Sequence, residues 1–356
     1  MSIKAIDGKN DINKLVQNYY GNEIKSAQDL KTSACCISES IPMWQREIIK
    51  QIEPEILDKF YGCGSPIPPD INSKSILDLG CGTGRDVYIA SKLVGDDGFV
   101  IGIDMTDKQL EVANKYKSQQ ARKYGFKNSN VDFRKGYIED LKSCGIKDDS
   151  IDVVISNCVI NLSDDKETVF DEIIRVLKPG GELYFSDVFA DKRIPSELKN
   201  DPVLYGECLA NAMYIEDFRR MILKLGINDF RILSTRKLTI DNPVIEDQIG
   251  FVNFYSSTVR VFKLLNLEDK CEDYGQTAKY NGTIQNFPHY FDLDDHHHFE
   301  KGKPMLVCGN TFDMLKETRY SRHFDLLGDK SKHFGLFSCA SSDTKGENVC
   351  STGACC

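Results

Sequence analysis

Three cysteines in this chain stand in short motifs whose residue types could bind a soft ion. Cys63 lies in FYGCG, Cys158 in SNCVINLS and Cys208 in YGECL. Taken singly, a cysteine is more often a small buried core residue than a ligand. Three thiols that approach one site from three segments would instead supply a trigonal set of sulfur ligands, which suits a thiophilic centre with a lone pair. The motifs therefore indicate a site for a soft, three-coordinate group.

A glycine-rich loop, DLGCGTG, supplies a second piece of chemistry. Its glycines let the backbone approach a ligand where a side chain would clash: Gly80, Gly82 and Gly84. Asp104 follows about twenty residues later, where a carboxylate can accept both ribose hydroxyls. Asp78 precedes the glycines and Arg85 follows them, so the loop departs from the G-x-G-x-x-G pattern of dinucleotide sites. It resembles the S-adenosylmethionine loop of class I methyltransferases and predicts an adenosyl site.

The segment GYIED, residues 136–140, follows a predicted strand. In the methyltransferase fold this loop covers the adenine, so Ile138 is expected against the ring face and Glu139 or Asp140 at the amino group. A solvated acidic turn is an equally simple interpretation of the same residues. The choice between the two acids stays open.

Trivalent arsenic is a centre that a trigonal set of thiolates would suit. Its lone pair could attack the methyl carbon of a sulfonium in line, provided that the thiolates hold the two atoms close and aligned. Such a reaction needs no general base, since trivalent arsenic carries no proton.

Alternating strand and helix patterns must position these residues. Apolar runs predict buried strands beginning at residue 75 and at 99–105, 131–136, 151–157 and 182–190. Thr106 and Gln109 have the spacing of a capping box and predict a helix that continues to Tyr124. Ser163 is expected to cap a second helix with one apolar face, formed by Val169, Phe170, Ile173, Ile174 and Leu177. The alternation predicts an α/β fold with a mostly parallel sheet and helices on both faces.

The chain is expected to divide into four parts. Residues 1–74 form a thiol-bearing segment with broken lead-in helices, and residues 75–190 form the S-adenosylmethionine-binding domain. Residues 191–285 form an appended α+β region for arsenic, with a helix near 214–225 and strands at 230–240 and 252–264. Residues 286–356 are expected to be irregular, with a flexible cysteine-rich tail that ends in CSTGACC.

Composition excludes several classes of function. The 356-residue chain has a formal net charge of −9, which argues against a nucleic-acid scaffold because such binding needs basic surface. No run is apolar enough to span a membrane, and the polar start of the chain has no signal-peptide core, so a cytoplasmic, reducing location is expected. The 13 cysteines include no C-x-x-C pair, which argues against a structural zinc site.

Eight motifs together resemble the arsenite methyltransferase family. They run in order from about residue 18 to 285: YYGNEIKSAQDLKTSACC, FYGCG, ILDLGCGTGRDVY, IGIDMTDKQLEVA, VISNCVINLS, EIIRVLKPGGELYFSDVFADKR, DPVLYGECL and EDYGQTAKY. The glycine loop is shared by a superfamily, whereas the two cysteine motifs around Cys158 and Cys208 are specific. The resemblance implies S-adenosylmethionine as methyl donor, and arsenite, methylarsenite or their thiol conjugates as substrates.

The resemblance also assigns roles to residues. It implies that Cys158 and Cys208 hold trivalent arsenic, that Cys63 acts with them, and that an N-terminal cysteine, Cys35 or Cys36, pairs with Cys63 during turnover. The cofactor pocket is expected to include Tyr61, Met105 and Asn157. Glutathione or thioredoxin is the expected thiol reductant, and a monomer is the expected state.

Two further functions are weighed against this one. A protein that sequesters arsenic or another soft metal would not need the intact glycine loop with Asp104. A carbon or oxygen methyltransferase of small molecules would need a base and would not need clustered thiols. The acid and histidine cluster FDLDDHHHF, which includes His296, His297 and His298, could bind a metal, although a solvated loop is the simpler interpretation.

Overall fold

The computed structural model describes residues 9–24, 29, 41–240 and 242–338. The α-helices are α1 Lys9–Asn18, α2 Met43–Ile49, α3 Pro54–Asp58, α4 Arg85–Val94, α5 Asp107–Lys115, α6 Lys117–Tyr124, α7 Lys166–Val176, α8 Pro202–Gly206, α9 Ile215–Lys224, α10 Pro243–Ile249 and α11 Gly309–Lys316. A π-helical turn, Tyr19–Glu23, continues α1, and short 3-10 turns lie at Ile160–Leu162, Ser196–Asn200 and Ser321–His323. Among the helices in these ranges, none has the length and apolar character needed to cross a bilayer.

The strands are β1 Ser75–Leu79, β2 Phe99–Asp104, β3 Val131–Lys135, β4 Ile151–Asn157, β5 Leu177–Ala190, β6 Met213–Tyr214, β7 Arg231–Lys237, β8 Phe254–Phe262, β9 Gln276–Tyr280, β10 Tyr290–Asp292, β11 His298–Glu300, β12 Pro304–Val307 and β13 Phe324–Leu327. Eight of them form one sheet in the order β3-β2-β1-β4-β5-β8-β7, with β6 paired to β5. Strands β1 to β5 pair in parallel, whereas β8 runs antiparallel to β5 and β7. The predicted parallel α/β sheet is confirmed.

The strand order reverses between β1 and β4, because the chain first adds β2 and β3 on one side of β1 and then crosses to the other side. Open α/β sheets bind ligands at such a reversal, beyond the carboxyl ends of the strands. Gly80 follows β1 there and Cys158 follows β4. The topology therefore brings the glycine loop and one of the predicted arsenic ligands to the same edge.

The helix predicted after β2 is broken in two at Tyr116, whose backbone leaves the helical region (φ −100°, ψ 0°). The Tyr116 hydroxyl donates to Glu55 over 2.6 Å, which ties the break to helix α3. Thr106 is the N-cap as predicted, but its side chain makes no capping hydrogen bond among the described residues. The expected capping box is therefore wrong, and Gln109 turns toward the cavity described below.

Helix α7 begins later than predicted. Its N-cap is Asp165, whose side chain accepts a hydrogen bond from the Thr168 backbone N–H at 3.2 Å. The Ser163 hydroxyl donates to Glu139 at 2.5 Å instead. Leu177 opens strand β5 rather than belonging to the helix. Of the predicted apolar face of α7, Val169, Phe170 and Ile173 are buried in the core and Ile174 is partly buried against it. Val176 is also buried there, although it was not predicted.

The expectation of an irregular chain after residue 285 is wrong for the described part. Strands β12 and β13 flank β9 in an antiparallel sheet, β10 and β11 form a hairpin, and α11 packs beside them. Aromatic side chains fill a separate core, among them Phe291, Phe299, Tyr320 and Phe324. Residues after 338, including the CSTGACC tail, lie outside the described residues.

Buried charges join this carboxyl-terminal layer to the main sheet. Glu182 on β5 forms ion pairs with both Arg260 on β8 and Arg319 beyond α11. The Arg231 guanidinium on β7 pairs with Asp294 over 3.0 Å. Such pairs are desolvated, so removing one partner leaves an uncompensated buried charge. These ion pairs therefore favour a single position of the carboxyl-terminal layer on the main sheet.

The histidine run is only partly a solvated loop. His296 and His298 are exposed and contact Asp295 and Asp292. His297 is buried, and its Nδ1 lies 2.8 Å from Asp294. The interpretation of the whole run as solvated is therefore wrong for the middle residue.

Candidate active site

A cavity opens beyond the carboxyl ends of β1, β2 and β4. This is the usual position of ligand sites in open α/β sheets. Nine of the predicted cofactor residues line it: Tyr61, Asp78, Gly80, Gly82, Asp104, Met105, Ile138, Glu139 and Asn157. Cys158 lines the same cavity. Gly84, the remaining predicted cofactor residue, is the N-cap of α4 and is not among the residues that line the cavity.

Glycine is required in the loop by two separate constraints. Gly80 has φ +69°, and a Cβ atom there would lie 2.9 Å from the Cβ of Val159, the neighbour of Cys158. Gly84 has φ +89°, and its Cβ would lie 2.8 Å from the ring of Phe133. Other residues rarely adopt these backbone angles, and here the space is also filled. The loop therefore packs tightly against β3 and against the segment that carries the thiol.

Asp104 is held by the loop that it faces. Its side-chain oxygens accept hydrogen bonds from the backbone N–H groups of Gly82 at 2.9 Å and Thr106 at 2.8 Å. Burial raises the pKa of Asp104, while these N–H groups oppose that rise. Burial also raises the pKa of Asp78 well above its usual value, helped by the nearby carboxylates of Asp86 and Asp104. A cavity lined by several desolvated acids favours a ligand with hydroxyl donors or positive charge.

The structure separates the two acids that the sequence left open. Glu139 lines the cavity and accepts from the Ser163 hydroxyl at 2.5 Å. Asp140 is turned outward, where its side chain accepts from the backbone N–H of Ser143 at 3.1 Å. Glu139 is therefore the acid of GYIED that can reach a ligand, beside Ile138.

Asn157 fastens the FYGCG segment to the end of β4. Its Oδ1 accepts from the Cys63 backbone N–H at 3.1 Å, and its Nδ2 donates to the Gly64 carbonyl and to Asp86, each at 2.9 Å. These groups are all buried, and Asn157 also lines the cavity. One side chain thus positions both a thiol segment and an acid of the cavity.

Sequence reasoning missed residues that line the cavity from the N-terminal side, from α4 and from the start of α5: Asn13, Val16, Tyr20, Asp86, Thr106 and Gln109. The Tyr20 ring lies 5.5 Å from the ring of Tyr61, and its hydroxyl donates to the Gly206 carbonyl at 2.7 Å. Burial raises the pKa of Tyr61 to about 12, so it stays a neutral donor. The two adjacent tyrosines of the YYG motif were the one sequence signal for this wall of the cavity. They lie far in sequence from the glycine loop that they cover.

The three predicted thiols converge behind this cavity. Cys63, Cys158 and Cys208 are only 1%, 4% and 0% exposed, and they share one apolar cluster. Cys63 and Cys158 are joined in a disulfide, with their Cα atoms 6.0 Å apart. The Cys208 thiol donates to the Cys158 carbonyl at 3.1 Å. The motifs predicted that these three cysteines share a site, but not that Cys63 and Cys158 are bonded to each other.

The proposed pairing of Cys63 with the N-terminal motif involves Cys35 and Cys36, which lie outside the described residues. In the structure, the bonding partner of Cys63 is Cys158. The pairing with the N-terminal motif stays a prediction for another stage of turnover.

Two of these three cysteines have an unusual backbone conformation. Cys158 has φ +55° and Cys208 has φ +64°, in the left-handed region that favours glycine. Non-glycine residues held there cost on the order of 1–3 kcal/mol each and cluster at functional sites. Both cysteines are therefore held in strained conformations by the surrounding structure.

Charged groups that sequence reasoning missed lie near Cys208. Burial lowers the pKa of Lys166 to about 8, against the opposing attraction of Asp187, Asp164 and the Cys208 sulfur. Burial also raises the pKa of Asp187 to about 6. Cys208 therefore lies in a buried region with titratable groups of both signs.

Comparisons with known proteins agree with this geometry. A family model described as a methyltransferase domain matches residues 71–226, and one described as the arsenite methyltransferase C-terminal domain matches residues 274–356. The chain is 49% identical over 322 residues to the arsenite methyltransferase of Aquipseudomonas alcaligenes, covering 90% of this chain and 92% of that protein. It is 41% identical over 325 residues to the human arsenite methyltransferase, covering 90% of this chain and 85% of that one.

Among solved structures, an arsenic(III) S-adenosylmethionine methyltransferase from Chlamydomonas reinhardtii superposes with a TM-score of 0.81 at 49% identity. The match covers 84% of this chain and 100% of that one. Identity at this level over almost the whole length of the relatives extends beyond the shared methyltransferase sheet to the thiol segments and the carboxyl-terminal layer. The chain belongs to the arsenite methyltransferase family.

Proposed function

We propose that this protein transfers methyl groups from S-adenosylmethionine to trivalent arsenic, first to arsenite and then to methylarsenite. The observation that carries the proposal is the position of Cys158. It lines the cofactor cavity, and behind it lie both of the other thiols that the sequence selected. The proposed function is detoxification of arsenic, in the cytoplasm and by a monomer.

The residues present fit the methyl donor. The ribose hydroxyls would be bound by Asp104, and the adenine by Ile138 and Glu139. A buried oxygen of Gln109, Oε1, lines the cavity and has no hydrogen-bond partner among the described residues, so it is available to a ligand donor. The acids Asp78 and Asp86 would face the positively charged part of the ligand. When bound, this ligand supplies an electrophilic methyl group on a sulfonium.

The three thiols would hold the arsenic as a trigonal thiolate complex. Arsenite has three exchangeable oxygens, so As(OH)₃ and three thiols give As(SR)₃ and three waters, with arsenic remaining trivalent. The complex keeps the arsenic lone pair, which is the nucleophile, and the neighbouring cavity is where the methyl carbon would be placed in line. Cys158 lines the cavity, so arsenic bound to its sulfur would lie beside the methyl donor.

The disulfide between Cys63 and Cys158 marks a state that cannot bind arsenic in this way, because both sulfurs are used in the bond. Two electrons from an external thiol would open it to two thiols and prepare the trigonal site. We propose glutathione or thioredoxin as this reductant. Methyl transfer to the lone pair leaves arsenic formally pentavalent. Cys63 and a cysteine of the N-terminal motif, Cys36 or Cys35, would supply the two electrons that return it to the trivalent state by pairing in a disulfide, which the external thiol then reduces.

The test is incubation of the purified protein with methyl-labelled S-adenosylmethionine, arsenite and glutathione, followed by separation of labelled arsenicals. We expect labelled methylarsenite and dimethylated product from the unmodified protein. Cys158→Ser and Cys208→Ser should give neither, while Cys63→Ser should still methylate supplied methylarsenite, which needs only two thiolates.

Cys144→Ser is the matched control, because Cys144 is a half-buried cysteine that lies outside the cavity. It should retain the activity of the unmodified protein. Absence of label in every arsenical, with arsenic still bound to the protein, would refute the proposal and support a sequestering role instead. Equal activity in the Cys208→Ser variant would refute the assignment of the thiols alone.

A further inference from the structure

A second pair of buried cysteines lies in the carboxyl-terminal layer, away from the cavity. Cys271 and Cys308 are 5% and 0% exposed and pack against each other beneath Phe337. The backbone N–H of Gly309 donates to the carbonyl of Glu272 at 2.9 Å, which holds the two cysteine-bearing segments side by side. Neither residue is among those that line the active-site cavity. The proposed methylation reaction has no role for this pair.

The Cys308 sulfur is in contact with polar groups at the start of a helix. Cys308 is the N-cap of α11, and its sulfur accepts from the Thr311 backbone N–H at 3.5 Å. The positive end of a helix favours a thiolate. The Thr311 hydroxyl lies 3.3 Å from the same sulfur and 3.4 Å from Nε2 of His297, whose Nδ1 lies 2.8 Å from Asp294. These contacts form a route from the thiol through a hydroxyl to a buried imidazole.

A carboxylate also faces this thiol. Asp229 interacts with Cys308, but its charge is met by Arg231 at 2.8 Å and by the Asn310 amide at 3.0 Å. Both donors contact the same oxygen, Oδ2, so the negative charge of Asp229 is partly offset.

In the part of the chain that the structure describes, Phe337 packs over the pair. Phe337 is half-buried, and its backbone N–H donates to the Cys271 carbonyl at 2.8 Å. On the same short segment, Phe334 and Leu336 are each 64% exposed. Segments held by few buried contacts open locally at low free-energy cost. Opening of residues 334–338 would bring both thiols to solvent without disturbing the main sheet.

We propose that Cys271 and Cys308 form a second trivalent-arsenic site, a dithiol chelate for arsenicals that carry one organic substituent. Methylarsenite has two exchangeable oxygens, so CH₃As(OH)₂ and the two thiols give CH₃As(SR)₂ and two waters. Arsenic stays trivalent and no oxidant or reductant is consumed. Two thiols satisfy this species completely, whereas inorganic arsenite would keep one oxygen. The inference rests on the proposed function, which produces methylarsenite on this same chain.

Binding stoichiometry tests the inference. Reduced protein is exchanged into buffer without thiols and titrated with methylarsenite, and the bound arsenicals are counted by native mass spectrometry. Cys271→Ser and Cys308→Ser should each lose one bound equivalent relative to the unmodified protein. Cys144→Ser, the matched control, should lose none. Methylation of arsenite is assayed in the same samples, so failure of the enzyme and failure of this site are separate results.

A measurement without substitution covers the case in which a variant does not fold. Unmodified protein, with and without one equivalent of methylarsenite beyond the active-site requirement, is alkylated and digested, and the labelled peptides are quantified. Simultaneous protection of Cys271 and Cys308 by at least tenfold is expected. Unchanged stoichiometry in both variants, or labelling of the pair that methylarsenite leaves unaltered, would show that these thiols are only core residues and would overturn the inference.

Discussion

Replacing Gly80 by alanine should disturb the cofactor loop and the thiol segment together. The new Cβ would lie 2.9 Å from the Cβ of Val159, at a φ of +69°. The left-handed backbone costs an L-residue roughly 1–2 kcal/mol, of which about 0.4–1 kcal/mol is offset by the lower entropy of the unfolded chain. Overlap with a well-packed neighbour adds about 1–3 kcal/mol, since a β-branched valine has few rotamers into which it can move. These terms sum to a loss of about 1–5 kcal/mol in the free energy of unfolding.

Gly125→Ala is the matched control for the backbone term alone. Gly125 has φ +81°, ends α6, and has no atom within 4 Å of the position of a Cβ. It should therefore lower the free energy of unfolding by only about 1 kcal/mol and leave S-adenosylmethionine binding unchanged. Urea unfolding measures both losses, and calorimetric titration measures cofactor affinity, which should fall at least tenfold for Gly80→Ala. Equal losses for the two variants, within about 0.5 kcal/mol, would refute the packing argument.

Three further predictions test other parts of the structure. Oxidised protein with the bond between Cys63 and Cys158 should show no three-sulfur arsenic coordination by X-ray absorption, and thiol reduction should restore it. Burial raises the pKa of Asp187 to about 6 from 3.8, so between these pH values the folded state binds more protons than the unfolded state. The free energy of unfolding should therefore fall by about 3 kcal/mol as the pH rises through this range. Urea titrations at several pH values measure this slope, which Asp187→Asn should remove. Glu182→Gln should lower the unfolding free energy by about 3–5 kcal/mol, because Arg260 is left buried and unpaired.

Most of the sheet could be predicted because its strands are buried on both faces and read as continuous apolar runs. Strands β1, β2 and β4 lie where those runs indicated. The cofactor loop was equally accessible, since its chemistry is contained in a few adjacent residues. By contrast, Tyr20 and Val16 reach the cavity from a helix about sixty residues upstream of the loop, and no local pattern reports which surface a distant helix covers.

The carboxyl-terminal layer was missed for a different reason. Strands β10, β11 and β13 have three or four residues each, too few for alternation to be distinguished from chance. Their core depends on aromatic residues with no common period, such as Phe291, Phe299 and Phe324. The predicted N-cap of α7 was wrong for a simpler reason, because Ser163 and Asp165 both have side chains that can cap a helix. In the structure the Ser163 hydroxyl donates to Glu139 instead.

The position of the sulfur site follows from backbone conformation as much as from residue identity. Cys158 ends β4 with its N–H donating to the Ser186 carbonyl at 2.8 Å, and at φ +55° the chain turns there instead of extending the strand. That turn leaves the Cys158 carbonyl free to accept from the thiol of Cys208, itself at φ +64°. Glycine would relieve the backbone strain at either position, but it would remove a sulfur atom that the proposed function requires and a side chain that packs in the apolar cluster. The strained backbone at these two contacting cysteines therefore fits the ligand role that we propose for them.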